Sequence, residues 1–152
     1  MAGSGLSEVV RNRIVERRMM RAGDLLDHPH QWRVHTQEQT TAMSDILREV
    51  GISSTLKAWR STRAGGALVT WDGHLRKSLD PDLEWPVDIL DITDAEADYL
   101  LSVFDPVSAM ARADAAALNS LLQSLHGKFC CREFVGAVGG GKRDRAAQRR
   151  IS

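Results

Sequence analysis

The chain has 152 residues, which is enough for one domain with short flanking segments. Its apolar fraction of 43% suffices for an ordinary folded core, and no apolar run approaches the ~18 residues of a membrane span. The net charge is zero, but the first 21 residues carry +3 and the last 11 carry +4, which leaves −7 on residues 22–141. This acidic body argues against a folded surface that grips nucleic acid, while the basic ends offer non-specific contacts to phosphates.

The two ends of the chain differ from its middle in composition. The N-terminal residues lack the continuous apolar segment of a signal peptide, which predicts a cytoplasmic protein without membrane contact. Cys130 and Cys131 are adjacent, so they form neither a disulfide framework nor CxxC metal spacing. We expect a basic segment over 1–12, one domain over 13–126, and a disordered Gly/Arg-rich tail over 127–152.

The first elements are a strand, a loop and a helix. Arg13–Met20 is compatible with a strand or a helix, and we favour the strand. The chain is loop-like after Leu26, because Pro29 stops a helix. Thr36 then opens a helix, since it forms a capping box with Gln39. This helix ends at Gly51, and its apolar face comprises Ala42, Met43, Ile46, Leu47 and Val50.

A hairpin and a further strand follow. Thr55–Arg60 and Ala67–Trp71 form the two arms of the hairpin, with glycines at the bend over 64–66. Pro86–Ile92 is a short strand with at least one buried face. With the helices on either side, this order predicts a small α+β domain with a helical C-terminal end.

Three helices are predicted after the last strand. Thr93 and Glu96 form a capping box for a helix that runs to about Phe104. Asp105 as N-cap and Pro106 at the first position start a second helix, through Ala113. Asp114 caps the third helix and Gly127 stops it, after which residues 128–135 are compatible with a strand. The predicted core face of the third helix is Ala117, Leu118, Leu121, Leu122 and Leu125.

The stretch Val69–Leu79 is the strongest candidate for a functional site. An apolar run ends at Trp71, turns at Asp72-Gly73, and leaves as a helix that carries His74, Arg76 and Lys77. The free N–H groups and the positive dipole end of such a helix favour an anion. A plain turn with solvated basic residues is the alternative, and Asp72 is either a turn former or a reactive carboxylate.

A second polar cluster is the loop HPHQWRVH, His28–His35. A zinc site from the histidines of both clusters would lack acidic or cysteine partners at regular spacing, so no metal site is predicted. Arg33 together with Arg76 fits an anion or phosphate clamp better, because a guanidinium offers forked donors to phosphate oxygens.

These two clusters, with the capped helix between them, resemble the N-terminal domain of ParB-like proteins, the ParB/sulfiredoxin fold. The first family motif is of the type NPxQPR, which Pro29, Gln31 and Arg33 match, whereas His28 and Trp32 replace Asn and Pro. The second is of the type GERR, which Gly73 and Arg76 match, whereas His74 and Leu75 replace Glu and Arg.

The sequence is more similar to a divergent ParB-like branch of phages and mobile elements. Recurring features of that branch are NWRxH, DGHLR, a PV-strand, a TxAEA helix and a DP-initiated helix. The corresponding residues here are Trp32–His35, Asp72–Arg76, Pro86-Val87, Thr93–Ala97 and Asp105-Pro106. The resemblance covers roughly Leu25–Leu125.

The resemblance implies a nucleotide-binding domain that acts in DNA partition, DNA modification or related transactions. Partition ParB proteins bind CTP through the two motifs, so CTP or ATP with Mg²⁺ is the expected ligand. The implied nucleotide- and phosphate-binding residues are Gln31, Arg33, His35, Gly73, His74 and Arg76.

Several alternatives stay open within this family. One is a nucleoside triphosphatase, nuclease or small-molecule phosphotransferase in which Asp72 or His74 does acid–base work. Another is a non-catalytic accessory module of a DNA methyltransferase system. Sulfiredoxin chemistry is not expected, because the phosphate motif contains no cysteine. A homodimer and non-specific DNA contact are compatible with the sequence, whereas too few residues follow Leu125 for an operator-reading helix-turn-helix domain.

Overall fold

The structure, a computed structural model, describes residue 5 and residues 9–128. This part of the chain forms one mixed sheet of five strands with helices on both faces, which confirms the predicted α+β class. The strands are β1 Ile14–Arg21, β2 Leu26–Asp27, β3 Leu56–Ser61, β4 Ala67–Asp72 and β5 Glu84–Leu90. The helices are α1 Gln37–Glu49, α2 His74–Leu79, α3 Asp94–Ala109 and α4 Ala115–Leu125, with a 3-10 turn at Ala22–Asp24.

The strand order β1-β5-β3-β4-β2 brings three separate segments to one edge of the sheet. β2 runs parallel to β4, with Asp27 opposite Thr70, so the loop after β2 and the turn after β4 leave at the same edge. β3 runs antiparallel to β4, with Lys57 opposite Asp72, so the start of β3 lies there too. Both halves of the predicted motif pair therefore meet at this edge.

Both faces of the central strands are buried. On one face Leu56, Val87 and Ile89 are at most 1% exposed, and Leu47 of α1 packs against that cluster. On the other face Trp59 and Val69 pack against α3. This two-sided burial explains why β3 to β5 contain apolar residues at successive positions instead of strict alternation.

Local capping fixes the starts of α1 and α3 as predicted. The Thr36 hydroxyl accepts the Gln39 N–H at 3.1 Å, and the Gln39 side chain accepts the Thr36 N–H at 3.3 Å. Thr93 and Glu96 form the same reciprocal pair. The predicted apolar face of α1 is only half-buried, and Val50 beyond its end is exposed.

The predicted helix boundary at Asp105-Pro106 is wrong. α3 runs continuously from Asp94 to Ala109 with Pro106 inside it, and residues 110–113 are not helical. A proline removes one N–H from the helix and disturbs the preceding turn. In that turn the Leu101 carbonyl accepts a hydrogen bond from the Trp32 indole at 3.1 Å. The N–H missing at Pro106 would have bonded to the Ser102 carbonyl, four residues earlier, so this contact fixes the loop on α3 and does not replace the lost bond.

The predicted core face of α4 is also wrong, although the helix and its Asp114 cap are as expected. Leu118 and Leu122 are partly buried, whereas Leu121 and Leu125 are exposed. A strand over 128–135, the cysteine pair and the Gly/Arg-rich tail fall, apart from Gly127 and Lys128, outside the described residues. Between residues 9 and 128, no helix has the length and apolar character needed to cross a membrane.

Candidate functional site

Gly73 forms the turn between β4 and α2. Its φ of 100° and ψ of 20° lie in the left-handed region, which side chains with a Cβ disfavour. A Cβ built there would lie 2.5 Å from Cδ2 of Leu56 and 3.1 Å from Nη2 of Arg76. Glycine is therefore required twice, by the backbone conformation and by the close approach of β3.

Three charged side chains surround the turn. Lys57 Nζ lies 3.2 Å from Asp72 Oδ2, and Arg76 Nη2 lies 3.6 Å from the same oxygen. Arg76 also donates through Nη1 to the Thr55 carbonyl at 3.1 Å and to the Ser54 hydroxyl. The turn thus has one carboxylate between two cations. Arg76 also links the turn to the start of β3 through its hydrogen bonds to Ser54 and Thr55.

The segment before β3 is fixed from its other side by Asp88, which is 4% exposed. The Thr55 hydroxyl donates to Asp88 Oδ2 at 2.7 Å, and Arg17 donates to both carboxylate oxygens at 2.6 and 3.1 Å. The Arg17 hydrogen bonds hold the pKa of Asp88 below its usual value. This support was not predicted from the sequence, since strand pairing brings Arg17, Thr55 and Asp88 together.

His74 joins the turn to the loop after β2. The His28 backbone N–H donates to His74 Nε2 at 3.3 Å. Burial lowers the pKa of His74 to about 4, with Asp27 opposing this shift. His74 is therefore neutral at pH 7 and supplies no positive charge to the site.

We expect acidification to destabilise the fold before its carboxylates titrate. The pKa of His74 in the folded state, about 4, lies below the ~6.5 of an unfolded histidine, so the unfolded chain binds more protons between these values. Stability is then fully present above pH 6.5 and falls as the pH approaches 4. After allowance for solvent screening at a partly exposed ring, the loss is about 1–2 kcal/mol.

Urea unfolding at pH 7.0, 6.0 and 5.0 measures this effect. A His74→Asn variant is the matched control, because it removes the titrating ring and should flatten the dependence on pH. Burial also lowers the pKa of His28, so a smaller slope of the same sign should persist in the variant. Identical slopes in the two proteins would contradict the assignment.

His28 is held from several sides. Its side chain is fully buried, its Nδ1 accepts the His30 backbone N–H at 2.9 Å, and its Nε2 lies 2.9 Å from Asp98 Oδ1. Its ring packs against Trp59 with 5.3 Å between centroids. Arg63 in turn donates to both oxygens of Asp98 at 2.7 and 2.9 Å.

The rest of the His28–His35 loop lies along one face of α3. Besides the Asp98 contact, the Trp32 indole donates to the Leu101 carbonyl at 3.1 Å, and Arg33 forms an ion pair with Asp105. Positions 98, 101 and 105 have the i, i+3, i+7 spacing of one helical face. Asp98 and Asp105 were not predicted as neighbours of the site, because no local pattern indicates which face of α3 receives the loop.

The loop also borders an open groove of about 560 Å³. His35 Nδ1 lies 3.4 Å from Gln39 Oε1, while its buried Nε2 and the buried Oε1 of Gln31 have no hydrogen-bond partner among the described residues. The groove is lined by Trp32, Arg33, Val34, His35, Gln39 and Asp105.

The structure brings the two motifs together at His28 and His74, but it places the two arginines in separate surroundings. Arg33 pairs with Asp105, whereas Arg76 contacts Asp72 and the segment before β3. Over residues 9–128, no group of three or more His, Cys, Asp or Glu side chains is placed to hold a metal ion.

The fold defined by this sheet and its helices is ParB-like. A solved structure with a similar fold is that of the C-terminally truncated chromosome-partitioning protein ParB from Caulobacter crescentus, complexed with CTP-gamma-S. The TM-score is 0.55 at 20% sequence identity, over 75% of this chain and 64% of that chain. No protein-family model matches the sequence, and no curated protein matches it.

Proposed function

We propose that the turn over Asp72–Arg76, together with the His28–His35 loop, binds a nucleoside triphosphate, CTP or ATP, as its Mg²⁺ complex. The observation that carries this proposal is the hydrogen bond between His28 and His74, which joins the two loops at one edge of a ParB-like sheet. The structural neighbour was solved with a CTP analogue, which supports a nucleotide as the ligand.

The residues around the turn suit a phosphate group. The space that a Cβ would take at Gly73 is filled by Leu56 Cδ2 and Arg76 Nη2, so the turn holds the Arg76 guanidinium against its own backbone. Arg76 Nη2 and Lys57 Nζ share Asp72 Oδ2 at 3.6 and 3.2 Å, and neither distance is that of a short bidentate pair. These two nitrogens can therefore turn to a ligand while Arg76 Nη1 keeps its bonds to Ser54 and Thr55, and the Mg²⁺ of the nucleotide offsets the nearby carboxylate.

Titration calorimetry with CTP, ATP and GTP in Mg²⁺ tests this function. We expect one triphosphate to bind the wild type and Arg76→Ala to weaken its binding at least tenfold, because a charge-assisted contact is lost. Arg48→Ala is the matched control, since Arg48 lies on α1 and its ion-pair partner within residues 9–128 is Asp45. Unchanged affinity in a folded Arg76→Ala protein would refute the assignment of the site.

Two further roles belong to this proposal. The domain over 13–126 would act in DNA transactions of a phage or mobile element, with its basic flanking segments touching DNA phosphates non-specifically. A catalytic role for Asp72 or His74 has less support. The Asp72 carboxylate is engaged by two cations, Lys57 and Arg76, and a histidine with a pKa of about 4 is not a general acid at pH 7.

A further inference from the structure

We propose that His74 donates a hydrogen bond to a ligand phosphate through Nδ1 as a neutral imidazole, and that His28, fixed by Asp98, is the positioning residue that sets this tautomer. The inference rests on the proposed nucleotide site and assigns the chemical role of one side chain in it. The geometry that supports it joins His28 of the loop after β2, His74 of α2 and Asp98 of α3.

The tautomer follows from the contact with His28. Nε2 of His74 accepts the His28 backbone N–H at 3.3 Å, and a ring nitrogen that accepts a hydrogen bond carries no proton. The single proton of the neutral ring is then on Nδ1. Within residues 9–128, the hydrogen bond at Nε2 is the one found at the His74 ring, which leaves the Nδ1 donor for a ligand.

The contact is directional because His28 is fixed. Its Nδ1 accepts the His30 backbone N–H at 2.9 Å, which places the His28 proton on Nε2, 2.9 Å from Asp98 Oδ1. The fully buried ring also packs on Trp59. Because the His28 side chain is fixed, its backbone is fixed too. Asp98 on α3 therefore orients the His28 backbone N–H that donates to His74 Nε2.

A neutral His74 also fits its charged surroundings. Asp27 and Asp72 favour a cation there, whereas Lys77 and His28 oppose one. Burial outweighs these contributions and lowers the pKa of His74 to about 4. The phosphate would thus receive a dipolar donor from His74 and full positive charge from Arg76.

The tautomer is measured directly by long-range ¹H–¹⁵N spectra of the full chain labelled at histidine, without ligand at pH 7. His74→Asn identifies the signals of His74 by their loss. We expect the pattern of the Nδ1–H tautomer in the wild type. A pattern of the Nε2–H tautomer, or of an imidazolium, would overturn the inference.

Isosteric variants test the donor. The amide nitrogen of Asn lies near the position of Nδ1 and that of Gln near Nε2, so His74→Asn should keep most triphosphate affinity while His74→Gln loses about tenfold. The ratio of wild-type to His74→Asn affinity should stay constant from pH 8 to 6, because this ratio cancels titration of the ligand. Equal losses in the two variants, or a ratio that rises on acidification, would overturn the donor role.

Variants of Asp98 test the positioning. Asp98→Ala should give a mixture of His74 tautomers and about tenfold weaker binding, whereas Asp98→Asn should restore both, because it keeps an oxygen in contact with His28 Nε2. Arg63→Ala is the control, since it removes the other partner of Asp98, together with a longer ion pair to Asp94 at 3.7 Å, and leaves the His28 contact in place. Asp98→Ala with wild-type tautomer and affinity would overturn the positioning role.

The two proposals fail in different ways. If the wild type binds none of CTP, ATP and GTP, the proposed function and the donor role both fail, and the spectra alone decide the positioning role. If the wild type binds a triphosphate but its His74 is the Nε2–H tautomer, only the present inference fails.

Discussion

Gly73→Ala is expected to lower the free energy of unfolding more than the same substitution at Gly51. A left-handed residue other than glycine costs about 1–3 kcal/mol. Overpacking adds about 1–3 kcal/mol, because the new Cβ would meet Leu56 at 2.5 Å in a buried cluster. Chemical denaturation measures the sum, and we expect triphosphate binding to be lost with it.

Gly51→Ala separates the two contributions. Gly51 has φ of 99°, nearly the value at Gly73, but a Cβ built there has nothing within 4 Å. It should therefore show the backbone cost alone. If the two variants lose the same stability, the contact with Leu56 is not tight and close packing at the turn is refuted.

Asp94→Ala is expected to have the second largest effect on stability. The Asp94 carboxylate at the start of α3 accepts hydrogen bonds from four donors at 2.7 to 3.1 Å: Trp59 Nε1, the Ser61 and Thr62 hydroxyls, and the Arg63 N–H. Trp59 is fully buried, and an unpaired buried indole N–H costs about 1–3 kcal/mol. The loss also releases the β3–β4 turn from α3, which thermal unfolding monitored by tryptophan fluorescence will show.

The charge of Asp94 gives this prediction a dependence on pH. The hydrogen bonds, that of Ser61 foremost, hold the pKa of Asp94 well below its usual value. Its contribution is thus present above the unfolded pKa of about 4 and is lost as the pH falls below that value. Asp91→Ala is the control, since Asp91 is exposed and pairs with Arg13. Equal destabilisation by both variants would contradict the role of Asp94.

Features set by neighbouring residues could be predicted from the sequence. Both capping boxes, the hairpin bend and the glycine turn depend on contacts within a few positions, and all are found in the structure. The boundary at Pro106 was predicted wrongly because Asp-Pro is a local signal, whereas this part of α3 is also held by contacts distant in sequence, such as that of Phe104 with Trp71 of β4. β2 has only two residues, too few for a periodic signal.

Only part of the candidate site could be predicted from neighbouring residues in this way. Gly73, His74 and Arg76 follow from their position after a strand. Their neighbours Lys57 and Thr55 are brought in by the antiparallel register of β3 and β4. Such register contacts depend on the whole sheet, and a single sequence does not specify them.

The position of β1 has a consequence for synthesis of the chain on the ribosome. β1 is made first, yet its one partner among the described strands is β5, so Arg21 pairs with Glu84, and Ile14 with Leu90, only after β5 has been made. The hairpin of β3 and β4 closes through a short turn and can form in the meantime. Throughout that interval the backbone of β1 has no partner strand, and its apolar Val15 and Met19 stay exposed even in the finished fold. The arginines among them place charge along this strand, which disfavours association of nascent chains, and Arg17 and Arg21 pair with Asp88 and Asp82 once the fold is complete.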